Sequence, residues 1–93
     1  MFKNIKLVAP YKIEGIDNVS LYEAMEYIKP LNKIGVDCET RAKAEYREVP
    51  DAGMIPYLSE IVMLQVGDYT NQFVIDTRYV DASPLVEVIS DKE

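Results

Sequence analysis

Residues 60 to 77 read EIVMLQVGDYTNQFVIDT, two apolar runs on either side of the turn-forming stretch Asp68 to Asn71. Runs rich in branched residues, joined by so short a polar segment, predict an antiparallel hairpin. Its strands are expected over Glu60 to Asp68 and Gln72 to Thr77. Ahead of it, Ile34 to about Thr40 predicts another strand, and residues 41 to 59 predict a long loop broken by Pro50, Gly53 and Pro56. Ser20 and Glu23 form a capping box at the start of SLYEAMEYIKP, and Leu21, Ala24, Met25, Ile28 and Leu31 follow helical spacing. Pro30 ends that helix. Ser83 as N-cap and Pro84 at the first helical position open a last helix, with Leu85, Val86, Val88 and Ile89 as its buried side. Residues 1 to 19 mix short apolar pieces with Pro10 and Gly15 and have room for one or two short strands. The predicted order is helix, three strands, helix: an α/β protein.

With 93 residues, 48% of them hydrophobic, the chain suffices for one small domain with a thin core. Its longest apolar run, Ile61 to Leu64, is far below the roughly 20 residues needed to span a bilayer. No secretory signal is legible at the start, so a soluble, cytoplasmic protein with no membrane partner is expected. A single cysteine, Cys38, excludes an internal disulfide. The net charge of −6 argues against holding nucleic acid by phosphate neutralisation alone, so nucleic-acid chemistry here requires metal ions. The absence of histidine removes a Ser-His-Asp triad and the usual zinc sites.

The stretch KIGVDCETR, Lys33 to Arg41, sets Asp37 and Glu39 on either side of Cys38 inside an otherwise apolar strand. Alternation along a strand puts both carboxylates on one face and Val36 and Cys38 on the other, where Cys38 is expected to pack in the core. Neighbouring carboxylates repel each other unless a cation sits between them, and hard oxygen donors suit Mg²⁺ or Mn²⁺. The plainer alternative is that the strand ends near Asp37 and both groups are solvated beside Arg41 or Lys43. In the long loop, Tyr46 and Tyr57 either stack on bases or pack the loop onto the sheet.

IGVDCET, EIVMLQVGD, QFVIDT and SPLVEVISD, taken together, resemble the first half of a 3′ to 5′ exonuclease domain of the ribonuclease-H-like superfamily. The likeness is to the proofreading domain of family A DNA polymerases and to ribonuclease D. It rests on the strand ending Asp37, Cys38, Glu39, Thr40, on Leu64 and Gln65 in the next strand, and on Ile75 and Asp76 in the third. The resemblance implies a partial ribonuclease-H-like fold, three mainly antiparallel strands with flanking helices. Residues 1–93 would be one domain, with 1–19 an N-terminal extension and 20–93 the first half of the exonuclease-like part. It further implies hydrolysis of phosphodiesters at single-stranded nucleic-acid 3′ ends with two Mg²⁺ or Mn²⁺ ions. Asp37 and Glu39 would be the catalytic metal ligands, and Thr40 would lie near the terminal nucleotide.

The chain departs from that family in lacking the second motif, an Asp four residues after an Asn, and the third, a Tyr or His four residues before an Asp. It is therefore expected to be a fragment, inactive alone. The strand carrying Asp37 is expected to leave an open apolar edge, which pairs either with residues 1 to 19 or with another copy in a homo-oligomer. A noncatalytic interaction module that associates through that edge is the alternative reading. Asp76 is expected to serve as a turn or capping residue.

Overall fold

A computed structural model describes residues 4–55 and 59–92; Tyr57, read above as a stacking or packing residue, lies outside them. Asn4–Val8 (β1) and Asp17–Asn18 (β2) come first, then the helix Leu21–Ile28 (α1). Gly35–Ala42 (β3), Ser59–Gly67 (β4) and Asn71–Asp76 (β5) follow, and the helix Ser83–Ser90 (α2) closes the order. The strands form one mixed sheet in the order β2-β1-β5-β4-β3. β3, β4 and β5 are antiparallel, whereas β1 runs parallel to β5 and to β2.

The expected hairpin is β4 and β5, with Val66 opposite Phe73 and Leu64 opposite Ile75. Its turn is fixed by Asp68, whose Oδ1 accepts the N–H groups of Thr70 and Asn71 at 2.9 Å each. Tyr27 on α1 donates its hydroxyl to the same carboxylate, tying helix to hairpin. Asp68 titrates below the usual carboxylate range, first because of the Asn71 N–H and then through Tyr27 and the Thr70 N–H. Gly67 is required beside this turn, because an added Cβ would collide with the Asn71 carbonyl oxygen.

One face of the sheet carries the core: Val8, Leu64, Val66, Phe73 and Ile75 meet Ala24 and Ile28 of α1 and Leu85 of α2. Tyr27 and Phe73 add a ring contact at 5.4 Å. Ser20 caps α1 as expected, its Oγ accepting the Glu23 N–H at 3.0 Å. α1 ends at Ile28, and Lys92 donates to the Lys29 and Leu31 carbonyls at 2.7 Å, placing a cation at the negative end of the helix. Leu31, expected inside the helix, follows it and still packs against the core.

Three expectations change. Residues 4–8 do not close the edge of β3; they pair with β5 at the far side of the hairpin. The N-cap of α2 is Ala82 rather than Ser83, and Asp81 Oδ1, just before it, accepts the Ser83 N–H at 3.0 Å and its hydroxyl at 2.6 Å. Val86, expected on the buried side, is 48% exposed, while Leu85 is fully buried.

Asp76, fully buried, ends β5. Its carboxylate accepts Tyr11 Oη at 2.6 Å, Arg78 Nε at 2.9 Å, Arg78 Nη2 at 2.7 Å and the Arg78 N–H at 3.1 Å. It is thus the turn residue expected from sequence, but also the anchor of the segment after β1. The Arg78 guanidinium, ahead of Tyr11, holds it far below the ordinary range, and Asp76 in turn raises the Tyr11 hydroxyl. Because charged hydrogen bonds to a buried carboxylate are lost together, Asp76→Ala should cost about 2 kcal/mol by urea unfolding, and Tyr11→Phe should cost less. A depressed folded pKa stabilises fully above the unfolded value of about 3.9 and is lost as pH falls through the folded one. The urea midpoint should therefore be flat from pH 7 to about 5 and drop below about 4, a drop that Asp68→Asn or Asp76→Asn makes shallower.

Candidate metal centre

Asp37 and Glu39 are the third and fifth residues of β3, opposite Gln65 and Met63 of β4. The core residues of β4 are Leu64 and Val66, so alternation sends Gln65, Met63, Asp37 and Glu39 to the face away from the helices. There the two acids border a shallow depression of about 70 Å³ with Met63, Gln65 and Val74. The expected pairing of the carboxylates on one face is what the structure shows. The strand does not end at Asp37, as the plainer reading had it, but runs on to Ala42.

Neither carboxylate is buried. β3 is exposed along its length except at half-buried Ala42, because it lies at the sheet edge beyond the reach of both helices. This corrects the reading of Cys38 as a core residue: it faces the helix side yet is exposed. Val36 beside it is 49% exposed. The two acids thus stand in water, where their mutual repulsion is screened and their proximity costs little.

Among the described residues, no basic side chain neutralises the pair. Arg41, the nearest candidate in sequence, is held by Glu60 across the ladder at 2.7 Å. Asp37 Oδ1 accepts the N–H of Cys38 at 2.9 Å. The donor chemistry, two hard anionic oxygens open to solvent, fits a hydrated Mg²⁺ or Mn²⁺ ion. Among the described residues, no group of three or more metal-ligating side chains comes together. Asp76 lies in the same cross-strand row as Glu39 through Met63, two strands or about 10 Å away. Its oxygens are already taken by Arg78 and Tyr11. The residues present therefore suit one ion and not a complete two-ion site.

Thr40 makes a contact within the chain. A register shift between Glu39 and Thr40 brings it opposite Ile61, and its hydroxyl donates to the Gly53 carbonyl at 2.6 Å. It thereby pins the long loop, which forms two 3-10 turns at Ala44–Tyr46 and Ala52–Met54, to the end of β3. The place near a terminal nucleotide that the resemblance implies for Thr40 is a separate matter; nothing local in the sequence signals the Gly53 contact, thirteen residues on. Tyr46, half-buried, belongs to this loop.

The chain was compared with protein-family models, with curated proteins and with solved structures, and none matches. Thr40→Val removes one hydrogen bond worth about 0.5–1 kcal/mol, so the melting temperature should fall by roughly 2–6 °C. Proteolytic cleavage within residues 43–55 should accelerate in the same variant, while a Lys43→Ala control should cleave at the original rate.

Proposed function

We propose that this chain is the leading part of a metal-dependent 3′ to 5′ exonuclease domain of the ribonuclease-H-like type, acting on single-stranded nucleic-acid 3′ ends. One observation carries the reading. Asp37 and Glu39 project side by side, unpaired with any basic side chain among the described residues, from the first strand of the antiparallel run β3, β4, β5 that leads into α2. A strand of this kind, at the edge of the sheet, suits a fold in which later elements approach its acidic face and bring further ligands. β1 and β2 extend the opposite side of the sheet and leave that edge untouched.

In this reading, Asp37 and Glu39 hold Mg²⁺ or Mn²⁺. When bound, such an ion activates water and stabilises charge on a phosphodiester. The chain's own residues supply the anionic face and keep it rigid by packing β4 between β3 and β5. Without a cation that face repels a phosphate backbone, as does the net charge of −6. Thr40, whose hydroxyl donates to Gly53, follows the two acids on the same strand. Two ligands from one strand give weak binding, so this chain by itself is inactive in our reading.

The second reading is a noncatalytic interaction module, favoured by the free edge of β3 and the exposure of Val36 and Cys38. Titration with Mn²⁺, followed by paramagnetic broadening of backbone amide signals, separates the two. Broadening centred on Asp37 and Glu39, with a Kd on the order of millimolar and abolished in Asp37→Ala, is the expected result. Indifference of those signals to both Mn²⁺ and Mg²⁺ removes the nuclease reading and leaves the module.

A further inference from the structure

The sheet has two edges, and they are kept from pairing in different ways. β2 is two residues long and too short to template another strand. β3 has eight residues, and its C-terminal half is shielded by the loop that carries Gly53, which lies against Arg41 and Ala42. That leaves Gly35 to Glu39 as an open stretch of edge.

The direction of each amide there follows from the hairpin. The Asp68 N–H donates to the Asn71 carbonyl, so ladder bonds from β4 to β5 fall on even residues and those from β4 to β3 fall on odd ones. Gly35, Asp37 and Glu39 therefore bond inward to Gly67, Gln65 and Met63, while Val36 and Cys38 present their N–H groups to the outside. It is the outward N–H of Cys38 that Asp37 Oδ1 accepts at 2.9 Å. Among the described residues, the Val36 N–H has no such side-chain acceptor.

We infer that Asp37 guards this edge: its carboxylate occupies the central outward N–H of β3 and so keeps the strand from pairing with a second copy of the chain. A donor already satisfied by a charged acceptor offers an incoming strand little, and that strand would bring its own Asp37 and Glu39 onto the same face. The guard stands apart from the metal reading, since it needs only the geometry of the free protein. It also assigns the two acids different duties, because Glu39, on the same face, covers no edge donor.

Hydrogen exchange and sedimentation test this together. In the wild-type protein the Cys38 amide should exchange about tenfold more slowly than Val36 after correction for neighbouring side chains, and Asp37→Ala should erase that difference. Asp37→Ala should also sediment as a concentration-dependent dimer. Asp37→Asn, which keeps an acceptor oxygen, and Glu39→Ala, which loses the same charge from the same face, should remain monomeric. Equal exchange of Val36 and Cys38 in the wild-type protein overturns the inference even if Asp37→Ala fails to fold. So does a monomeric Asp37→Ala, or association of Glu39→Ala to the same extent, which would assign the effect to charge alone.

Discussion

Everything in this protein is positioned by the pairing of β4 with both β3 and β5. β4 carries alternating duties along nine residues: Leu64 and Val66 point to the helices, and Met63 and Gln65 point to the opposite face. Because the period of a strand is two, one register fixes both faces at once. The burial of Leu64 and Val66 against Phe73, Ile75, Ile28 and Leu85 thus also decides where Asp37 and Glu39 stand. A slip of one residue between β3 and β4 would send both carboxylates to the helix side.

The helices reach only part of that sheet. α1 and α2 cover β1, β5 and β4, and leave Gly35 to Glu39 of β3 exposed. This limit answers the question raised by an acidic pair inside an apolar run. The run is not buried, so the acids need no buried partner, and they are free to meet a cation from solvent. The ion binding and the edge protection proposed for this protein fall on one short stretch because it is the part of the sheet that the helices leave open.

The hairpin, the capped first helix and the shared face of Asp37 and Glu39 were legible in the sequence, since each follows from local spacing or from the alternation of a strand. What was illegible depended on contacts between distant segments. Nothing near Tyr11 announces Asp76, sixty-five residues on, and nothing near Thr40 announces Gly53. Cys38 was misplaced for a related reason: its small apolar character suggested a core, but burial depends on how far a helix extends across a sheet. Arg78 carried a visible signal, an Asp two residues earlier. A bidentate bond within one turn, combined with a buried strand end, makes that pair the lock on the β1 side of the sheet.

The placement of Asp37 and Glu39 depends on Gly35 to Glu39 of β3 being an uncovered edge, and the single thiol reports on that directly. Alkylation of Cys38 by iodoacetamide in the native protein should proceed at a rate close to that of the urea-unfolded chain. A thiol that reacts only on unfolding would mean that β3 is covered, and the solvated, cation-ready placement of Asp37 and Glu39 would be wrong with it.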